Sequence, residues 1–342
     1  MQRTEIATYG EFGLIKHLTG KFKTINESTQ TAVGDDAAVL DYKNKKVLVT
    51  TDLLLEGIHF DLVYVPLKHL GYKAAVVNFS DIYAMNGTPK QLTVSIGVSK
   101  RFSVEDLELF YDGIELACKK YGVDLVGGDT SASLTGLTIS ITCIGEAEEA
   151  DIVYRNGAKA TDLICVTGDL GSAYMGLQLL EREKIVFAGN EHAQPDFEDK
   201  DYILQRQLKP EARKDIVELL HAKGVVPTAM MDISDGLSSE LMHICSQSNV
   251  GCRVYEDKIP IHYQAAVMAE ELNMNIVTAA LNGGEDYELL FTVSLADYDK
   301  ILTLEGIAIV GHITKPELGL NLVGREGEEI ELRAQGWNSL NK

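Results

Sequence analysis

The sequence predicts a two-domain α+β protein whose halves meet near residue 150. Three observations carry that reading. Short β-branched runs alternate with segments of helical spacing along the whole chain, the signature of mixed sheet and helix. The stretch Glu-Ala-Glu-Glu-Ala-Asp, inside Glu146–Asn156, interrupts the apolar pattern once. A length of 342 residues exceeds one ordinary domain. The expected division is 1–148 and 149–342.

The elements follow in order. Val33–Leu40 and Lys46–Thr51 read as strands running into carboxylates. Leu67–Met85 has apolar residues at Leu70, Ala74, Val77, Ile82 and Met85, close to helical spacing, and Asn86-Gly87-Thr88-Pro89 stops it. Gln91–Val98 is a strand. Ser103 then opens a helix as N-cap, with Asp106 at the third helical position forming a capping box. Gly122–Gly127 and Leu137–Ile144 are further strands. In the second half, strand Asp162–Thr167 leads through Gly168-Asp169-Leu170-Gly171 into a helix from Ser172 to about Arg182, and Glu183–Asp201 reads as loop. Helix Glu211–Ala222, strand Thr228–Ile233, helix Gly236–Gln247 and strand Gly251–Tyr255 continue the alternation. Strand Glu288–Val293, a helix around Leu295–Leu302 and strand Ile307–Ile313 complete it.

Composition excludes several function classes. Apolar residues make up 45% and charged residues 24%, enough to build a core. The net charge of −20, with 51 acidic residues against 31 basic ones, repels nucleic acid and anionic lipid. No apolar run approaches the ~20 residues of a membrane span, and Met1–Phe12 has no signal-like apolar core. The five cysteines, Cys118, Cys143, Cys165, Cys245 and Cys252, show no metal-type spacing and mostly sit among apolar neighbours. Buried thiols in a reducing, cytoplasmic setting are expected.

Familiar catalytic signatures are missing: no GxxxxGK[ST] loop, no protein-kinase catalytic loop, no HExxH and no GxSxG. Aspartates beside glycines and hydroxyls are present instead. They occur in Val33-Gly34-Asp35-Asp36-Ala37, Thr50-Thr51-Asp52, Asn78-Phe79-Ser80-Asp81, Gly127-Gly128-Asp129-Thr130 and Asp232-Ile233-Ser234-Asp235-Gly236. Taken singly, an Asp before Gly is more often a turn residue or a helix cap. Asn78, Ser80 and Asp81 resist that explanation, because polar groups on a buried helix need partners. Carboxylates placed at the ends of apolar elements and drawn together would repel one another unless divalent cations neutralised them. Oxygen-bound Mg²⁺ suits such a set and would let an acidic site bind phosphates. His59 lies seven residues after Asp52, where it can meet a polar ligand or simply support a strand end. Leu281-Asn282-Gly283-Gly284-Glu285-Asp286-Tyr287-Glu288 reads either as a loop approaching a ligand or as a hairpin turn with solvated acids. Trp337, the single tryptophan, can stack on a flat ring or anchor the tail.

Taken as an ordered set, these motifs resemble the bacterial thiamine-monophosphate kinases. That family belongs to a superfamily with aminoimidazole ribonucleotide synthetase, selenophosphate synthetase and the hydrogenase-maturation dehydratase. The likeness runs from Tyr9-Gly10-Glu11-Phe12-Gly13 through Gly57-Ile58-His59-Phe60 and Lys73-Ala74-Ala75-Val76-Val77-Asn78 to Arg155-Asn156-Gly157-Ala158 and Gly283-Gly284-Glu285-Asp286-Tyr287-Glu288-Leu289. The tail Gly336-Trp337-Asn338-Ser339-Leu340 departs from the family's aromatic-Asp-His-Phe ending.

The resemblance implies an aminoimidazole ribonucleotide synthetase-like fold. Its N-terminal sheet would pair into a β-barrel across a homodimer, and its C-terminal domain would be an α/β sandwich completing the site. It implies ATP-dependent phosphorylation of thiamine monophosphate to thiamine diphosphate, with several Mg²⁺ ions and no covalent nucleophile. Asp36, Thr50, Thr51, Asp52, Asp81, Asp129, Asp232 and Asp235 would be metal ligands. Tyr111, Gly128, Asp129, Arg155 and Ser234 would contact ATP, and His59, Glu285 and Trp337 the acceptor. Two other readings stand beside it: another ATP-using member of the superfamily, or a non-catalytic nucleotide- or metal-binding protein on the same fold. Within the first, selenophosphate synthetase would need a reactive Cys near the N-terminus, whereas the first cysteine here is Cys118, and the maturation dehydratase would need a C-terminal Cys. Aminoimidazole ribonucleotide synthetase is disfavoured by its poor fit to the Thr51-Asp52…His59 and Gly-Gly-Glu-Asp-Tyr-Glu patterns.

Overall fold

The computed structural model of the protein describes residues 29–31, 35, 38–42, 45–189 and 195–334. Two sheets organise them. The first contains β1 (Thr29–Thr31), β2 (Ala38–Tyr42), β3 (Lys45–Leu55), β4 (Thr88–Val98), β5 (Asp124–Ala132) and β6 (Thr138–Ala147), in the order β1-β2-β3-β6-β4-β5. All its pairs are antiparallel except β4 with β5. Helices α1 (Leu67–Ala84) and α2 (Val104–Tyr121) pack with it.

α2 starts as its sequence dictates. Asp106 N donates to Ser103 Oγ (3.2 Å) and Ser103 N to Asp106 Oδ2 (2.8 Å), so each satisfies the other's orphan amide. α1 differs because it is buried nearly all round, from Leu70 to Ala84 with Asp81 the exception. A helix apolar on every side belongs between layers, and α1 contacts β3, β4, β6 and α2 on one flank and β8 of the second sheet on another.

The second sheet contains β7 (Leu163–Thr167), β8 (Ala229–Asp232), β9 (Gly251–Tyr255), β10 (Leu289–Val293), β11 (Ile307–Thr314), β12 (Leu320–Val323) and β13 (Glu329–Glu331). Its order is β13-β12-β9-β11-β7-β10-β8, antiparallel except for β9 with β12. The helices are α3 (Ser172–Gly189), α4 (Asp201–Leu208), α5 (Lys214–Ala222), α6 (Leu237–Ser248), α7 (Tyr263–Glu271), α8 (Ile276–Asn282) and α9 (Tyr298–Ile301). None of the described helices is long and apolar enough to cross a membrane.

Strand alternation distributes this sheet between two cores. On β7, Leu163 and Cys165 join the core shared with α1, whereas Ile164 and Val166 join the core under α6. On β10, Leu289, Phe291 and Val293 take the first side and Leu290 the second. The two sheets are therefore joined by a continuous apolar core. All five cysteines are buried free thiols, as their apolar neighbours predict.

Several elements differ from the sequence reading. Asp52 and Asp129 do not stand at strand ends, because β3 continues through Leu55 and β5 through Ala132. Partners explain the extension of β3: Leu53, Leu54 and Leu55 face Ser140, Ile139 and Thr138 on β6. α3 runs on to Gly189, into the expected loop Glu183–Asp201, and α4 fills the stretch between that loop and the helix expected from Glu211, where the sequence reading assigned no element. α4 buries only Ile203 and Gln207, too little apolar periodicity to announce a helix.

α1 and α2 approach closely because each presents a glycine to the other. A Cβ on Gly71 would overlap the Phe110 carbonyl oxygen, and one on Gly113 the Lys68 carbonyl oxygen. Backbone atoms cannot move aside as side-chain tips can. Gly113→Ala is therefore expected to cost about 1–3 kcal/mol, read as a lower midpoint in urea unfolding with an unchanged slope. An unchanged midpoint would mean that the helices pack less tightly than this.

Candidate active site

The site is built where α1 crosses the seam between the sheets. On β3, alternation puts Thr50 and Asp52 on one face and Thr51 on the other. Thr50 Oγ1 donates to Asp81 Oδ2 of α1 at 2.5 Å. One residue earlier on that helix, Ser80 Oγ donates to Asp232 Oδ2 at 2.5 Å, in a fully buried contact between the first sheet's helix and the end of β8. Asn78 Nδ2 donates back to Ala74 O at 3.0 Å. Ser80 and Asp81 thus each have a partner on another element, whereas buried Asn78 is satisfied only through its amide nitrogen and its Oδ1 accepts no hydrogen bond among the described residues. Thr51 is turned away, donating to Ile141 O (3.0 Å) and accepting from Thr142 (3.0 Å).

Beyond β8, the turn Ser234-Asp235-Gly236 is zipped to the Gly283–Glu288 segment. Glu285 N donates to Ser234 O (2.7 Å), Tyr287 N to Ile233 O (2.9 Å) and Ile233 N to Glu288 O (2.7 Å). Gly284 is required here: its φ is 70° and a Cβ would overlap the Ser234 carbonyl oxygen. Behind the turn, buried Glu240 Oε1 accepts from Asp235 N at 3.0 Å. Burial, and then the Asp235 carboxylate, push Glu240 well above the usual carboxylate range.

The acids of the Gly-Gly-Glu-Asp-Tyr-Glu motif have separate fates, and the solvated hairpin is excluded. Asp286 is fully buried and accepts from Gly171 N (2.9 Å) at the start of α3. Burial pushes it up to about 7. Glu288 is buried between Arg206 (2.8 Å) and Arg213. Only Glu285 reaches open space.

That space is a cavity of about 560 Å³ lined by Asp52, His59, Ser234, Asp235 and Glu285 among the expected residues. Burial pushes Asp52 up to about 6. His59 Nδ1 accepts from Leu55 N (3.0 Å), which puts the proton of a neutral ring on Nε2. Tyr287 also lines the cavity; burial first, then Glu285, Asp52, Asp232 and Asp235, push its phenol far up, so it remains a donor among carboxylates. The sequence reading missed Tyr287 as well as Lys73, Tyr64, Glu181 and Lys184 on the same walls. At the rim Tyr64 donates to Glu181 (2.7 Å) and Lys184 pairs with Asp61 (2.7 Å). A lysine inside the apolar run of α1 was the available signal for Lys73.

Other expected residues lie elsewhere. Gly128 and Asp129 are on β5, where every residue is exposed. The register runs from Asp52 through Ile141 and Val94 to Gly128, three strand spacings or about 14 Å. Tyr111 is on α2, edge-to-face with Phe110 at 5.7 Å. Arg155 pairs with Asp35 at 3.3 Å, both largely buried. Asp36 and Trp337 lie outside the described residues. Among the described residues no three His, Cys, Asp or Glu side chains are grouped closely enough to cage a metal. At the seam, Asp81 and Asp232 each accept from a hydroxyl, and Asp52 and Asp235 line the cavity. Such oxygen donors fit Mg²⁺, which takes one or two carboxylates and fills its octahedron with water and phosphate oxygens.

Comparison with known proteins agrees with this geometry. The AIR synthase related protein N-terminal domain matches residues 34–147, and the corresponding C-terminal domain matches residues 159–318. The thiamine-monophosphate kinase of Aquifex aeolicus is 35% identical over 90% of this chain and 96% of its own. That of Bacillus subtilis is 36% identical over 89% and 90%. Among solved structures, AaThiL complexed with AMPPCP and TMP superposes with a TM-score of 0.84 at 33% identity, over 99% of both chains. By its two matched domains and by these full-length relatives, the chain belongs to the thiamine-monophosphate kinase family of AIR synthase related proteins.

Proposed function

We propose that this protein transfers the γ-phosphoryl group of ATP to the phosphate of thiamine monophosphate, giving thiamine diphosphate and ADP. The observation that carries this reading is the cavity at the seam where Asp52, His59, Asp235 and Glu285 converge from both halves. The solved structure of AaThiL complexed with AMPPCP and TMP supports the choice of substrates.

An acceptor phosphate oxygen is already an anion near neutral pH, so the reaction needs no strong general base. The obstacle is repulsion between that oxygen and the ATP phosphates, and catalysis consists of positioning and charge neutralisation. Asp52, Asp81, Asp232 and Asp235 would hold Mg²⁺, which when bound supplies that neutralisation. Thr50 and Ser80 orient two of these carboxylates through their hydroxyls. His59 Nε2–H is suited to donate to the acceptor phosphate, and Glu285 to bind the organic part of the acceptor. Arg155, Ser234, Tyr111, Gly128 and Asp129 are assigned to the nucleotide. Arg155 would then exchange part of its ion pair with Asp35 for an ATP phosphate.

Asp129 lies across the sheet on the exposed strand β5, beside Leu125 (46% exposed) and Val126 (56% exposed). An uncovered parallel edge strand with apolar side chains calls for a partner. A second copy of the chain, pairing through the first sheet, is the partner assigned here.

Purified protein with ATP and Mg²⁺ should release ADP with thiamine monophosphate but not with free thiamine, and a chelator should abolish turnover. No turnover with thiamine monophosphate, in protein that still binds ATP, would overturn the assignment. Asp232→Asn should lower kcat by about a hundredfold or more, and near-normal kcat at saturating Mg²⁺ would remove Asp232 from the site. Sedimentation should give a dimer for the wild type and a monomer for Val126→Asp; a dimer that survives the substitution would place the interface elsewhere.

A further inference from the structure

Lys73 is a buried cation that the mechanism above leaves unused. It is 8% exposed and stands on α1 seven residues before Ser80. Seven residues advance a helix by nearly two full turns, or roughly 10 Å, so Lys73 and Ser80 share a face. Both use that face to reach carboxylates of the second half. Lys73 Nζ donates to Glu285 Oε2 at 2.6 Å and to the Gln207 carbonyl oxygen at 2.9 Å. Gln207 Nε2 donates to the same Glu285 oxygen at 2.8 Å.

Two donors from two different helices therefore fix one oxygen of Glu285. Glu285 Oε1 accepts no hydrogen bond among the described residues, although its residue lines the cavity. A buried ammonium is costly unless paired, and a long side chain on a left-handed backbone (φ 62° at Glu285) needs an outside hold to keep one orientation.

We propose that Lys73, assisted by Gln207, is a positioning residue for the acceptor. It fixes Glu285 through Oε2, so that Oε1 meets the cationic, N–H-bearing organic part of thiamine monophosphate. This rests on the assignment of Glu285 to the acceptor made above. Lys73 acts through Glu285 and touches neither the nucleotide nor the transferred group, so its removal should alter acceptor binding selectively.

The test is steady-state kinetics on Lys73→Met, Glu285→Gln and the double variant, varying each substrate in turn. Lys73→Met should raise KM for thiamine monophosphate about tenfold or more, the worth of a hydrogen bond to a charged group. KM for ATP and kcat should stay within about threefold. The double variant should cost little more than Glu285→Gln alone, since one residue acts through the other. Parallel loss in kcat and both KM values, or full additivity of the two substitutions, would overturn the proposal and leave Lys73 a purely structural residue. If Lys73→Met does not fold, Gln207→Leu removes the other donor and should raise the acceptor KM alone; an unchanged acceptor KM would overturn the proposal. An inactive wild type would fell the kinase assignment itself, whereas an active wild type with an unaltered Lys73→Met fells only this inference.

Discussion

The hydrogen bond from Ser80 Oγ to Asp232 Oδ2 ties together everything that the site requires. It joins a helix packed on the first sheet to the last residue of a strand in the second. Both groups are buried, so neither can exchange its partner for water without cost. The neighbouring residue Asp81 turns toward β3 and Thr50. Two consecutive residues of one helix thus connect the carboxylates of both halves, and small shifts of α1 would move all of them.

That helix can do this because it is buried on nearly every side. Its glycine contact with α2 brings two backbones together, and its other flank meets β8. The alternation of β7 and β10 between two cores completes the arrangement, since each strand carries one face to α1 and the other to α6. The halves are legible as separate sheets, yet energetically they share one interior. The positions of Asp52 and Asp235 relative to each other are therefore set by packing and not by a linker.

Charge is handled in layers outward from the cavity. Deep acids are held by protein: Glu288 pairs with two arginines, and Asp286 accepts from the Gly171 and Ala173 amides at the start of α3. Acids that face the cavity are left with less: Asp52 is pushed up by burial, and Glu285 has one oxygen engaged and the other not. The unsatisfied charge is concentrated where cations and a cationic substrate would enter.

Much of this was readable from residue order. The capping box at Ser103, the helix over α1, the need of Asn78, Ser80 and Asp81 for partners, and the acidic motifs all follow from local chemistry that burial later enforces. His59 and Glu285 were named through the family resemblance, since the residues alone left a strand-end support and a solvated hairpin open; both line the cavity. The strand lengths around Asp52 and Asp129 were not readable, because pairing partners on β6 and β4 decide where a strand ends. Nor was the sorting of Glu285, Asp286 and Glu288 into cavity, helix cap and ion pair, since three acids within four residues look alike until arginines from α4 and the segment before α5 arrive. By itself the sequence determined which groups would be present and roughly which elements would carry them. The tertiary structure decided which of them meet, because contacts such as Lys73 with Glu285, over two hundred residues apart, exist only once two faces of one buried helix have been packed against different sheets.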